Sequence, residues 1–411
     1  MASCLLALLT FSPGGSLAEP APVPEDPAGV HRWHTPRRGA RPVPRHVVEA
    51  HPEDWNPLAG PAAWAKGFLK QGDVTTDLFV MFFYQWASDV LFGGRDFGSF
   101  ACRSIGDWEI VDDTPLGDSF LEWNLTGAVG LSFDERDESI AGGFQIGDLS
   151  VINTNVYPDT SALDELFWKQ VIAEGRWVVI AGRVDQSFHF DVNRVANDAY
   201  RKLQAFVFVN NLSIPWPLYG GMGGAVTWKA TDRLTLRIGA GESGSDEPWQ
   251  FWRTVDDGNW YQLVEAELAL DVPGLGKGTY RLTPWHNHLD GGDGWGVGVN
   301  FDQELGLPWL VGFFRFGAGD GDVTPVERHV SGGVAVEGPF GRSGDHFALG
   351  VGWSRPSEPG ARDETFLEFQ YRLQLTKTLE ISPDIQIVLN PGSNRDTDTI
   401  VVPGIRLTMV F

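Results

Sequence analysis

The sequence predicts an all-β protein, a transmembrane antiparallel β-barrel of about 16 strands with short periplasmic turns and long extracellular loops. Three observations predict it. The chain closes on a strand-like run in which Ile405, Leu407, Met409 and Phe411 alternate with Arg406, Thr408 and Val410. Period two puts the first set on one face, where an aromatic end suits a membrane interface. Composition is the second: 50 Gly, 17 Trp and 26 Phe favour strands, tight turns and aromatic girdles. No stretch reaches the roughly 18–20 uninterrupted apolar residues of a spanning helix, since Phe79 to Phe92 is broken by Gln85, Ser88 and Asp89. The third is an alternation of short and long connections that a β-sandwich or propeller would not keep along its whole length.

The first segment has the features of an export signal. Leu5 to Phe11 is a short apolar core, and Ser16-Leu17-Ala18 precedes Glu19 as a small-residue cleavage site, so 1–18 is expected to be a signal peptide. Met1 to Cys4 carries no Lys or Arg, which places the expected true start within a longer leader. Residues 19–66 are rich in Pro, Arg and His and read as a periplasmic extension or linker. His31, His34, His46 and His51 fall there at irregular spacing without Cys or an acidic cluster, so no metal site is expected. Past the leader Cys102 stands alone, which rules out an intramolecular disulfide.

Residues 67–411 are expected to form the barrel. Alternating runs mark strands near 74–86, 119–133, 140–154, 163–173, 176–186, 220–229, 234–242 and 260–270. Eight more fall near 278–286, 294–304, 309–318, 329–338, 345–354, 363–375, 379–390 and 399–411. Glu174-Gly175, Ala230 to Arg233, Leu305 to Pro308 and Thr376 to Thr378 are the short turns; 87–118, 187–219 and 243–259 are the long loops. The last strand is expected to pair with the first, because closure alone removes both edges.

Individual strands show two unlike faces. Leu367, Phe369, Tyr371, Leu373 and Leu375 alternate with Glu368, Gln370, Arg372 and Gln374. An Arg at mid-membrane on the lipid side costs roughly 2–4 kcal/mol, so the polar set must face water in the lumen. The formal charge of −23 argues against nucleic-acid partners, which need clustered Lys and Arg. There is no Gly-x-Ser-x-Gly elbow, His-Glu-x-x-His, Walker loop or Rossmann glycine pattern, and no cofactor is expected.

The run Ser382-Pro383-Asp384-Ile385-Gln386-Ile387-Val388-Leu389-Asn390-Pro391-Gly392, with Pro403-Gly404-Ile405-Arg406-Leu407 and Phe411, resembles the C-terminal signature of carbohydrate-selective porins of the OprB type. Glu368 to Leu375 resembles that family's penultimate down-strand, and Gly182-Arg183-Val184-Asp185 after Leu166 to Gln170 is similar to its fourth and fifth strands. The resemblance covers roughly 67–411 and implies a sixteen-stranded barrel in the outer membrane of a Gram-negative bacterium, passing sugars by passive diffusion. Implied partners are small sugars, outer-membrane lipid and lipopolysaccharide, with a homo-oligomer left open.

Strand parity then nominates lumen residues that would address a sugar: Arg183, Asp185, Arg237, Glu265, Glu267, Arg281, Arg315, Glu368 and Arg372. Mixed Arg and Glu offers donors and acceptors to a neutral polar solute, where a single-sign ring would select ions. The alternative is a solvated wall whose charges pair across strands. Loop 187–219 holds His189, Asp191, Asn193, Arg194 and Asn197, then an apolar run Ala205 to Val209. It is the expected constriction if it packs inside, or an external flap with Trp216 at headgroup level if it does not. Asp290 to Asp293 and Asp320 to Asp322 read as turn chemistry rather than cation sites. Other readings are a general porin, a channel for another solute class, and a barrel lipid hydrolase using His189 or His329.

Overall fold

The computed structural model describes Gly60 and residues 72–112, 114–131, 145–153, 160–252 and 256–411. The signal peptide and the extension expected at 1–66 lie outside the described residues, Gly60 apart. Sixteen antiparallel strands form one closed barrel in chain order. They are β1 (Val74–Trp86), β2 (Asp96–Val111), β3 (Asp118–Gly130), β4 (Thr160–Ile172), β5 (Trp177–Val184), β6 (Gly221–Lys229), β7 (Leu234–Glu242) and β8 (Trp260–Val272). The second half comprises β9 (Gly276–Leu289), β10 (Gly292–Glu304), β11 (Leu310–Gly319), β12 (Val326–Glu337), β13 (His346–Pro356), β14 (Glu364–Gln374), β15 (Leu379–Leu389) and β16 (Thr399–Val410).

The barrel closes as expected. β16 pairs with β1 in a register that includes Phe79↔Val410 and Tyr84↔Ile405, and Phe411 is tied to Leu78 by two backbone hydrogen bonds of 2.9 and 3.1 Å. Alternation holds on both faces. Ile405, Leu407 and Met409 lie outside, while Arg406 and Thr408 are buried inside against backbone carbonyls of the 185–220 connection. On β14, Glu368 and Gln370 point inward and Phe369 is exposed outward. Outside the wall Trp177 and Trp228 stack at 5.3 Å near one rim, as amphipathic rings do at a membrane interface.

Two expectations about the first strands are corrected. The predicted loop 87–118 contains β2, and the described part of the predicted strand 140–154 is not a strand. β2 was obscured because neither face is uniform: Phe97, Ser99, Ala101 and Arg103 face in, while Phe100, Cys102 and Ser104 face out, with glycines at 98 and 106. Residues 145–153 are alternately apolar for another reason. They enter the barrel, where Ile146 and Ile152 are fully buried. The two errors cancel in the count.

The connections at 173–176, 230–233, 305–309 and 375–378 are the short ones expected. The opposite rim is not uniformly long-looped, since Asp290 and Gly291 join β9 to β10 alone, both at positive φ (51° and 81°). That is the backbone of a two-residue hairpin turn, which Asp-Gly suits. Asp320 likewise accepts the Asp322 amide at 3.2 Å, a turn bond.

The main apolar core lies inside the lumen rather than between layers. Val311, Phe313, Ala335, Ala348, Phe366 and Val388 face inward from β11–β15 and pack on residues of the loops. Phe208 sits among them, edge-on to Phe313 and Phe366 at 6.3 and 5.9 Å. Gly350 makes room for it, because a Cβ there would stand 2.7 Å from the Phe208 ring. Each such fully buried ring is worth about 1.5–3 kcal/mol of transfer free energy. This half of the interior is therefore a packed core, not the uniformly wet wall that the alternation suggested.

Candidate conduction pathway

The 185–220 connection folds into the barrel, which excludes the external-flap reading. Asp185 starts it by accepting from the Ser187 amide (2.9 Å) and hydroxyl (2.7 Å), capping the 3-10 turn Gln186–Phe188. The apolar run forms a single helical turn, α1 (Phe206–Val209), whose side chains seat the loop in the lumen core. Ladder carboxylates and guanidinia then meet the loop backbone, so buried amides and carbonyls are satisfied by charge-assisted bonds.

Three anchors stand out. Arg315 is fully buried; its Nε donates to Asp191 Oδ2 at 2.8 Å, and its Nη atoms reach the carbonyls of Asp191 and Phe208 and the Asn197 amide oxygen. Glu368 accepts the amides of Gln204 (2.8 Å) and Ala205 (3.1 Å). Glu265 accepts the Asp191 amide at 2.7 Å. The other inward loop is held the same way, Glu364 accepting from Leu149, Ser150 and Gly392 amides at 2.9, 3.1 and 3.0 Å.

Arg237, Glu265, Glu267 and Arg281 are brought together as one inward row on β7–β9. Arg237 bridges Glu265 (2.6 Å) and Glu267 (3.0 Å), and Arg281 bridges Glu267 (3.0 Å) and Asp302 of β10 (3.2 Å). Arg372 lies apart, at the far end of β14, donating to the Gly344 carbonyl at 3.1 Å. Arg183 does not face the lumen. The ladder sets it opposite Leu166 and Met222, on the outer face with Trp168 and Ala181. An outward guanidinium is tolerated because residues 247–251 of the connection after β7 lie over the outside of the barrel. The carbonyls of Glu247 (3.0 Å) and Gln250 accept from Arg183, and the Phe251 ring lies 5.5 Å from it.

One group escaped notice in the sequence. Arg103 of β2 donates to Asn124 at 2.6 Å, pairs with Asp164 at 3.2 Å, and lies 4.6 and 5.5 Å from the Tyr200 and Phe188 ring centres. It joins the inward loop to the wall opposite its anchors. His189 of the loop bonds Glu165 at 3.0 Å and stacks edge-on to Phe167. Burial holds its imidazole well below the usual range, at about 4. Lys169 pairs with Glu122 beneath the Phe120 ring. Reading β2 as loop hid Arg103; Glu165 and Lys169 lay on a recognised strand, but nothing local distinguished them.

Along this wall several charged side chains keep contact with solvent: Glu122 is 25% exposed, Glu267 20% and Asp164 15%. Arg315 and Glu368 keep none. A polar solute entering the barrel would thus meet the accessible carboxylates of β3, β4 and β8, held by buried cations, while apolar residues of β4–β9 and of β11–β15 pack on the loops.

Residues 268–411 match the sequence profile of the carbohydrate-selective porin, OprB family. No curated protein matches the chain. Among solved structures it is similar to Pseudomonas putida OprB at high pH (16% identity, 86% of this chain and 97% of that chain, TM-score 0.69) and at low pH (16%, 88% and 99%, 0.56). A mutant of the Rh. blastica porin is more distant (13%, 82% and 100%, 0.51). At these identities the structural likeness speaks to the fold. The chain is therefore a closed sixteen-stranded antiparallel barrel with the fold of solved porins, whose last eight strands match the carbohydrate-selective porin, OprB family.

Proposed function

We propose that small sugars diffuse through the passage between the inward loop and the β2–β10 wall, guided by Arg103, Asp164, Glu122, Lys169 and the Arg237–Glu267–Arg281 row. The observation that carries this is a row of ionised side chains of both signs paired along one wall, three of whose carboxylates, Glu122, Asp164 and Glu267, keep contact with solvent. A guanidinium offers a planar fork of donors and a carboxylate two acceptor oxygens, matching adjacent ring hydroxyls, while aromatic faces suit the C–H side of a sugar. Each contact replaces water and nets about 0.5–1.5 kcal/mol, which favours entry without trapping the solute. On this reading Arg315 and Glu368 act as loop anchors rather than sugar contacts, and Asp185 sets the loop's point of entry.

Liposome swelling with glucose, a disaccharide, an amino acid and sodium phosphate tests it. Faster entry of glucose than of an amino acid of similar size is expected; equal rates for solutes of equal size would leave a general porin, the second reading. The outer face is proposed to meet bilayer lipid and lipopolysaccharide. Assembly of copies of this chain is measured on the same preparation by native mass spectrometry.

A further inference from the structure

Outside the barrel, β5–β8 enclose a groove of about 370 Å³. Val179, Val226, Ile238 and Val264 form its sides, with Gly224 and Ala240 between them, so the concavity comes from two small residues among branched ones. All lie on spanning strands, within the band that bilayer lipid surrounds. At one end the groove reaches Gln262, whose side-chain Oε1 lies 2.9 Å from His286 Nδ1 on β9. His286 continues the line: its Nε2 is 2.6 Å from Asp293, and its ring lies 4.2 Å from Trp295. His288 stands 3.6 Å from the same carboxylate. These groups flank the Asp290-Gly291 turn, at the rim opposite the Trp177–Trp228 pair.

We infer that this is a binding site for one outer-leaflet glycolipid, with an acyl chain in the groove and the sugar headgroup on Trp295 and Asp293. The inference rests on the outward-facing, membrane-embedded reading above, and not on sugar passage. An all-apolar trough that ends in a polar cluster has the shape of an amphiphile. The head end favours a sugar for two reasons. Asp293 is largely exposed and accepts hydrogen bonds from hydroxyl or amide N–H groups, and Trp295, 67% exposed, presents a ring face for C–H stacking. A second copy of this chain would have to fill the trough with a protruding side chain while covering the polar cluster; a lipid meets both demands with one molecule.

Native mass spectrometry of the purified barrel, with added lipid A or phosphatidylethanolamine as probes, tests the site. The expected result is preferential retention of one lipid A, reduced at least five-fold by Ala240→Phe, which fills the groove. Trp295→Leu is expected to abolish the preference over phosphatidylethanolamine, since it removes the ring without adding charge to the lipid face. If Ala240→Phe fails to insert, Ala240→Leu takes its place. Equal retention of both lipids by the wild type, or unchanged lipid A on the groove variant, overturns the site. So does a dimer mass that the groove variant abolishes, since the trough would then be a protomer contact. Glucose swelling by Ala240→Phe is expected to match the wild type, so failure of the lipid site and failure of the sugar pathway read out separately.

Discussion

The inner wall of β2–β10 and that of β11–β15 are built by the same alternation and both pack apolar residues on the loops, yet a row of close ion pairs between neighbouring strands runs along the first. On the first, Arg237, Glu267, Arg281 and Asp302 pair with each other across neighbouring strands. On the second, charged groups such as Arg315 and Glu368 instead pair with a loop that also buries Phe208. The difference teaches that an inward charge on a barrel strand has two fates. Where a neighbouring strand offers the opposite charge it pairs there, and where it faces the loop it becomes a socket for backbone.

The sharpest way to break this contrast is Arg315→Ala. It leaves the buried Asp191 carboxylate without its ion-pair partner, a loss of about 3–5 kcal/mol. Urea unfolding should show the destabilisation, and planar-bilayer recording should show a higher, noisier conductance with sugar block lost. Unchanged conductance would mean the loop is held by its apolar side chains alone.

Next in size is the contrast between the two faces of β14. Phe369→Arg places a charge in lipid at roughly 2–4 kcal/mol and should cut membrane insertion, assayed by heat-modifiable gel mobility. Glu368→Gln should insert normally but raise conductance, because it turns one oxygen that faces the loop amides into a donor. Equal insertion defects would show that the strand has slipped by one residue.

Arg103→Ala probes the ion-paired wall itself. Losing contacts worth about 0.5–1.5 kcal/mol each, it should weaken inhibition of ion current by glucose several-fold while leaving insertion intact. Retained inhibition would move the sugar contact to the Arg237–Glu267–Arg281 row. The smallest effect is expected from Arg183→Ala. Because that guanidinium holds the outer 243–259 connection, glucose flux should not change. A clear change in flux would put the side chain back in the passage.

Much of this was legible in the sequence. The faces of β14 and β16 and the closing pair follow from period-two alternation, while the apolar run inside a polar loop left an inward constriction and an external flap both open. Period alone misled where burial did not come from the sheet: Ile146 and Ile152 are buried because a loop enters the lumen, and β2 was hidden because small, polar and apolar residues occupy both of its faces. Arg183 misled in the same way, since parity places a side chain on a face but cannot foresee a loop that covers it. Which lumen charges pair with each other and which are sockets depends on where the loop lies, and no local pattern encodes that.

The pairing of β1 with β16 also orders the events of assembly. It joins segments more than three hundred residues apart, the most distant contact the topology contains. Such a seam pays its loop-closure entropy in full, whereas every other hairpin forms between chain neighbours. The 185–220 connection touches β1 through Tyr200, β16 through Arg406 and β11 through Arg315. A sheet still open at the seam can wrap around that connection; a sealed one would have to be threaded. The plug thus serves as a mandrel on which the last strand finds the first, and variants that loosen it should close slowly even where the finished barrel is stable.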